Sequence, residues 1–340
     1  MRDNVLEVRD LRVEIPLPHG TVRAVNGASF TVSRGEALGL VGESGCGKSM
    51  TLRAILGLLP SPARIVGGEI LFDGRDLTRV SPGELRDVRG RRISMIFQEP
   101  MTALNPVMRV GEQIAEAPRI HLGYDRQSAH ERAIELLRLV GIPDPERRAG
   151  AYPHEFSGGM RQRVMIAIAL SCEPDLILCD EPTTALDVTI QDQILKLLLD
   201  LREELGVSVV FVTHDLAVVA ETCRSLAVMY AGQILETGEV REVFREPRHP
   251  YTLGLMRAVP DFELVQSSLD SIPGTPPDLA SLPPGCPFHP RCSFVEDDCV
   301  SGEFPLLPLA DERATACVHH DTCASAARED PVVVERESGG

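Results

Sequence analysis

The sequence predicts an α/β fold with a mainly parallel, layered sheet, followed by a loop-rich C-terminal extension. Three observations carry that expectation. Short apolar runs that read as buried strands alternate with runs of helical periodicity. A glycine-rich loop, Gly42-Glu43-Ser44-Gly45-Cys46-Gly47-Lys48-Ser49, stands between one such strand and one such helix. The apolar run Leu176–Cys179 ends in two adjacent acids, Asp180 and Glu181.

The elements follow in chain order. Val5–Glu14 and Val22–Val32 alternate as strands around a turn at Pro18-His19-Gly20. Ala37–Val41 is a short apolar strand, and Lys48–Leu59 after the glycines reads as a helix. Gly67-Gly68 and Asp73-Gly74 bracket a strand, Glu69–Phe72. Ser128–Val140 has helical periodicity through Ile134, Leu137, Leu139 and Val140. Gly159–Leu170 is another helix. Leu176–Cys179 and Val207–Val212 read as buried strands, with the amphipathic helix Ile190–Leu205 between them.

Composition bounds what such a chain can do. At 340 residues it holds about two domains, given roughly 150 residues per domain. Its 34 basic and 50 acidic residues give a net charge of -16, which opposes a general nucleic-acid binder, because phosphate contacts need a basic surface. A hydrophobic content of 43% supports a buried core. The longest apolar run, Val164–Cys172, is about half the 18–20 residues that cross a bilayer. Met1–Val5 lacks the apolar core of a signal peptide, so a cytosolic chain is expected. Residues 251–340 hold 15 acids against 5 basic residues and 11 of the 26 prolines. A boundary is therefore expected near Arg248–Tyr251, giving domains 1–250 and 251–340. Only Lys48 and Lys196 are lysine.

The loop's chemistry follows from its residues. Glycines let successive N–H groups turn inward around phosphate oxygens, and the start of the following helix adds partial positive charge. Lys48 is expected to reach the β- and γ-phosphates of a nucleotide, and the Ser49 hydroxyl to bind Mg²⁺. The candidate phosphate-binding residues are Gly42, Ser44, Gly45, Cys46, Gly47, Lys48, Ser49 and Met50. A compact ammonium suits this slot better than a planar guanidinium, and one of the two lysines stands there. Asp180, at a strand's C-terminal end where ligands bind in open α/β sheets, can hold Mg²⁺. Glu181 can orient or deprotonate an attacking water.

Beside those motifs, Phe156-Ser157-Gly158-Gly159-Met160-Arg161-Gln162-Arg163 resembles the signature of the ATP-binding subunits of ABC transporters, with Met160 where glutamine is usual. Gln98, in Ile96-Phe97-Gln98-Glu99-Pro100, resembles the Q-loop. Ala185-Leu186-Asp187 resembles the D-loop, and His214 the switch histidine. Phe97–Pro106, His249-Pro250-Tyr251-Thr252 and Gly285–Cys292 resemble the oligopeptide/dipeptide branch of that family. The resemblance implies a P-loop NTPase (RecA-like) core with an antiparallel β subdomain, a helical signature subdomain at about 99–172, and the C-terminal cysteine extension. It implies ATP and Mg²⁺ as ligands, with Ser49, Gln98 and Asp180 at the metal. Glu181, His214 and Gln98 are the implied catalytic residues. Ser157, Gly158, Gly159 and Asp187 would face the γ-phosphate held by a sister ATP-binding subunit. Two permease subunits and an external substrate-binding protein are the other implied partners, with Glu99–Glu116 as the permease contact. The location implied is peripheral, at the cytoplasmic membrane face. The usual aromatic under adenine is missing; His19 and Ile15 are the nearest candidates.

The extension carries Cys286-x5-Cys292-x6-Cys299-x17-Cys317-x5-Cys323. A cytosolic location disfavours disulfides, and the close cysteine pairs usual for zinc are absent. Four thiolates on a proline-rich loop suit an iron–sulfur cluster. The branch has a similar pattern, some members resembling [4Fe–4S] proteins, which implies Cys286, Cys292, Cys299 and Cys317 as ligands with Cys323 spare. Zinc and unliganded thiols stay open beside the cluster.

Peptide uptake is thus the expected task, with nickel chelates, opines or glycosides as other cargo of the branch. A soluble ABC ATPase working on ribosomes or nucleic acid is the rival. It fits the acidic charge poorly, and the interval from Ser49 to Ser157 shows no coiled-coil heptads. A sensor with a regulatory ATPase is a third reading, motivated by the tail alone.

Overall fold

The computed structural model describes residues 3–184, 187–258, 272–310 and 312–329. Its strands are β1 (Asn4–Leu17), β2 (Gly20–Ser33), β3 (Ala37–Val41), β4 (Arg64–Phe72), β5 (Arg75–Asp76), β6 (Ile93–Ile96), β7 (Leu176–Asp180), β8 (Ser208–Thr213), β9 (Ser225–Tyr230), β10 (Gln233–Glu239), β11 (Leu307–Pro308) and β12 (Ala314–Thr315). The chain divides into two compact units.

The first unit holds residues 1–5, 32–36 and 79–212. Its β6, β7 and β8 are parallel, with Met95 opposite Leu178 and Asp180 opposite Val212. Every residue of β7 and β8 is buried, as a parallel strand covered on both faces requires. The helices Val110–His121, Arg126–Leu139 and Gly158–Leu170 pack on one another. Their apolar faces, with Ile114, Leu136, Leu137 and Val164, are fully sequestered. At Pro82–Val88 a capping box starts the helix: Glu84 N–H donates to Ser81 Oγ, and Ser81 N–H to Glu84 Oε2.

The second unit holds residues 6–31, 37–78 and 213–340. It contains the sheet β2-β1-β4-β5, in which β1 and β4 are antiparallel. It also contains β3 and β9 as a parallel pair, extended antiparallel through β10, β12 and β11. The core between β9, β10 and the C-terminal segment is built on Val41, Val228, Tyr230, Leu235, Tyr251, Met256 and Phe288. Tyr230, Tyr251 and Phe288 meet with ring centroids 4.6–5.4 Å apart, a tilted and edge-on packing that their quadrupoles favour.

Several expected boundaries shift. The helix after the phosphate loop runs Lys48–Ile55 and stops short of Leu59, because Gly57 takes φ +59°. Gly67-Gly68 lie inside β4 instead of bracketing it. Gly68, at φ +86°, forms a bulge against β1, where a Cβ would come 2.3 Å from Asp10 O. The extension, expected to be loop-rich, also contributes two strands to a sheet and the helix His320–Glu329.

Candidate nucleotide site and cysteine cavity

The phosphate loop belongs to the second unit. β3 is buried throughout and delivers the chain to Gly42. Gly42, Gly45 and Gly47 take φ of +153°, +79° and +111°. A Cβ on Gly42 would lie 2.1 Å from Met229 O, and one on Gly47 2.3 Å from Ala24 O. Only glycine fits those two positions. Ser44 and Gly45 form the exposed crown, while Cys46, Gly47 and Lys48 are buried and Ser49 and Met50 half-buried. Lys48 Nζ donates to Gly42 O at 2.7 Å and to Glu43 O at 2.9 Å. Its third donor direction finds the Cys46 Sγ at 3.7 Å, a weak acceptor. Burial pushes the Cys46 thiol up, with Lys48 pulling partly against it. The thiol therefore stays protonated at neutral pH and acts as a filler of the loop.

The carboxylates belong to the first unit. Asp180 closes β7 and is 3% exposed. Glu181 follows at φ +45°, a left-handed conformation that is uncommon for a side-chain-bearing residue and collects at functional sites. Its N–H donates to Val212 O at 3.0 Å, which ties the turn to β8. Gln98 Nε2 and Thr184 Oγ1 donate to Glu181 Oε2 at 3.1 and 2.9 Å. The structure thus brings Gln98 and Glu181 together, although 83 residues separate them. Thr184 is a partner that the sequence reading missed; its position three residues after Glu181 in a tight turn was the available signal.

Ser157 caps the helix Gly158–Leu170, its Oγ accepting from Met160 N–H at 3.4 Å. Ser157 and Gly158 are exposed. A Cβ on Gly159 would lie 2.7 Å from Ile190 Cγ2, so this glycine admits the helix Val188–Leu205. Asp187 caps that helix through Ile190 N–H at 3.1 Å. Ala185 and Leu186 lie outside the described residues. In the second unit, His214 is exposed, next to Asp215, which caps the helix Leu216–Thr222. His19 is exposed and Ile15 half-buried. Lys196 is exposed on its helix, as an ordinary surface residue would be.

A cavity lies in the extension. Cys286, Cys292, Cys299 and Cys317 all line it, together with His249, Phe288, His289, Phe294 and His319. Cys323 is fully buried elsewhere, packed with Leu253 and Ala327. Burial and the neighbouring thiols push Cys292 up to about 11 and Cys317 up to about 12. Burial lowers His249 to about 3, so its imidazole is neutral. Its Nδ1 accepts from Tyr251 N–H at 3.0 Å. The ring proton therefore sits on Nε2, which is buried and finds no partner among the described residues. Four thiols and an orphaned N–H converging on one cavity fit a sulfur-rich, anionic guest. Asp298, Cys299 and His319 are the described group whose ligand atoms close to within 4.8 Å.

Comparison with known proteins identifies the family. The ABC transporter family description matches residues 25–184, and that of the oligopeptide/dipeptide transporter C-terminal region matches residues 235–299. A probable peptide ABC transporter ATP-binding protein of Sinorhizobium fredii is 53% identical over 93% of this chain and 95% of its own. The dipeptide transport ATP-binding protein DppD of Bacillus subtilis is 53% identical over 85% of this chain and 87% of its own. Among solved structures, a dimeric ATP-binding cassette bound to ADP and phosphate superposes with a TM-score of 0.62 at 28% identity. It covers 69% of this chain and 99% of its own. CbiO1 of Clostridium perfringens gives a TM-score of 0.60 at 29% identity, covering 72% of this chain and 91% of its own.

Proposed function

The chain belongs to the ATP-binding subunits of oligopeptide/dipeptide ABC transporters, and from that premise we propose that it hydrolyses ATP to power import of di- or oligopeptides through a membrane permease. The observation that carries the reading is the loop geometry at Lys48. Two of its ammonium donors hold loop carbonyls, and among the described residues the third meets a thiol, a weak acceptor, which leaves it to a phosphate oxygen.

In this reading residues 1–250 are the ATPase domain, with 99–172 as its helical subdomain, and 251–340 the extension. The N–H groups of Ser44 to Met50 receive the phosphates at the helix start. Ser49, Gln98 and Asp180 would hold Mg²⁺, which when bound neutralises charge on the transferring phosphoryl group. Glu181 takes the proton of the attacking water on its carboxylate. Gln98 and Thr184 hold that carboxylate in one rotamer through Oε2. Ser157, Gly158, Gly159 and Asp187 serve the nucleotide of a sister subunit, and His214 steadies the γ-phosphate. Two permease subunits and an external binding protein complete the importer, with this chain peripheral at the cytoplasmic face. No described helix is long and apolar enough to cross a membrane.

The extension is proposed to hold a [4Fe–4S] cluster on Cys286, Cys292, Cys299 and Cys317, a centre that would serve a structural or sensing role when bound. Their shared cavity supports that set over one containing Cys323. Iron and acid-labile sulfide on anaerobically purified protein test this part; zinc alone would overturn it.

The function is tested by reconstituting the chain with its permease subunits in vesicles. Peptide uptake that requires ATP and is lost with Lys48→Ala is expected. Sedimentation with ribosomes and indifference to the permeases would overturn it.

A further inference from the structure

The extension reaches the phosphate loop at Glu43 and holds it from two directions, while Lys48 of the loop itself holds it from a third. The Glu43 N–H donates to the hydroxyl of Tyr251 at 2.8 Å. The Glu43 carbonyl accepts from Lys48 at 2.9 Å. The Glu43 carboxylate accepts two parallel bonds from Arg291, Nη1 to Oε2 at 2.7 Å and Nη2 to Oε1 at 3.0 Å. Tyr251 is fully buried, and the Arg291 side chain is 4% exposed. The remaining donors of Arg291 are also placed. Nε donates to Pro273 O, Nη1 to the Tyr230 hydroxyl and Nη2 to Ile272 O. All five guanidinium N–H groups therefore have acceptors, which fixes the fork in space.

A carboxylate in a loop that receives a polyphosphate is a liability, because like charges repel strongly where water is excluded. A neutralising partner that cannot swing away removes that repulsion. We propose that Arg291 is a positioning residue of the nucleotide site: from the C-terminal extension it neutralises Glu43 and fixes the Gly42–Glu43 peptide on which Lys48 is seated. Arg291 touches no reacting atom; it acts through Glu43. The assignment rests on Gly42–Ser49 being the phosphate site, and Lys48→Ala checks that premise separately.

The test measures binding of a fluorescent ATP analogue to the full-length chain, with thermal unfolding of each variant alongside. Arg291→Met leaves the Glu43 charge unpaired and is expected to weaken nucleotide binding roughly ten- to hundredfold, the usual range for a charged hydrogen-bonded contact. In a Glu43→Gln background there is no charge to neutralise, so the same Arg291→Met change is expected to cost less than threefold. A merely structural role would cost the same in both backgrounds. Arg291→Met binding within threefold of wild type, or an equal loss in the Glu43→Gln background, would overturn the proposal. If Arg291→Met does not fold, Arg291→Lys decides. It keeps the charge but cannot make the fork, so binding three- to tenfold weaker with an unchanged melt is expected, and wild-type affinity refutes the positioning role. If Lys48→Ala binds nucleotide normally, the phosphate-site premise fails instead.

Discussion

Arg313→Met offers a quantitative check on how the extension is anchored. Glu236, on β10, has a side chain 1% exposed, and that of Arg313 is 7% exposed. Glu236 Oε1 accepts from Arg313 Nη2 at 3.0 Å and from Arg248 N–H at 2.8 Å, and Oε2 accepts from His249 N–H at 3.0 Å. One buried carboxylate thus ties β10 to the chain entering the helix Pro250–Arg257, which carries Tyr251. Removing the guanidinium leaves that charge on two backbone donors. Breaking such a buried pair costs about 3–5 kcal/mol, which is roughly 150- to 5,000-fold in the equilibrium for local opening at about 1.36 kcal/mol per tenfold. Amide exchange at Ala316, whose N–H donates to Leu235 O at 2.8 Å, reads that opening directly. The pH dependence has a definite sign. Burial raises the Glu236 carboxyl above its ordinary value, so the folded state binds a proton that the unfolded state has released. The group's contribution is then fully present below the unfolded pKa and is lost as pH rises through the folded one. The deficit of the variant should shrink toward acid and grow as pH rises through the folded-state pKa of Glu236. Glu236→Gln added to Arg313→Met should recover part of the protection, since the amide carries no charge while its oxygen can still accept from a backbone N–H of Arg248 or His249. Wild-type protection at Ala316 in Arg313→Met, or a deficit that grows toward acid, would refute the reasoning.

Three further outcomes are expected. Glu181→Gln keeps an oxygen for Gln98 and Thr184 but cannot take a proton, so kcat should fall roughly 10²- to 10⁴-fold with nucleotide affinity within threefold; normal phosphate release would remove Glu181 as the base. Gly42→Ala places a methyl 2.1 Å from Met229 O, so the loop must shift and nucleotide affinity should fall at least tenfold; calorimetry showing wild-type binding would contradict the close approach. Cys317→Ser should lose bound iron while Cys323→Ser, outside the cavity, retains it; the reverse pattern in metal analysis would exchange the two ligands.

What the sequence made legible was local. The run Ala37–Val41, the glycines and Lys48 lie within twelve residues, and strand period, loop chemistry and helix start agree there. The carboxylates could be read because β7 is apolar to its last residue but one. What was missed is non-local or conformational. Gln98 meets Glu181 only because β6 and β7 are adjacent and parallel. Arg291 meets Glu43 across 248 residues. Gly68 looked like a strand boundary, yet its positive φ serves a bulge that composition cannot distinguish from a turn. The helix His320–Glu329 buries Cys323, Ala324 and Ala327, a face of small residues too weak in hydropathy to announce itself by periodicity.

The acidity of the extension needs reconciling with a polyanion site in the same unit. Residues 251–340 carry a net charge of -10, yet net charge acts at a distance, and salt screens it beyond about 8–10 Å. What a phosphate meets is the local arrangement. Three acids of the extension that the structure pairs are turned to solvent: Asp298 and Glu296 face the His319 imidazole, and Asp321 faces the Arg248 guanidinium. The extension's contribution beside the phosphate loop is instead the Arg291 guanidinium, spent on Glu43. Close to the loop the extension therefore removes negative charge, although its composition adds it. The same distinction explains why a balance of -16 argues against a nucleic-acid surface without arguing against ATP. A duplex needs a basic surface many ångströms long, whereas a triphosphate needs a few N–H groups and one ammonium, all within hydrogen-bond reach.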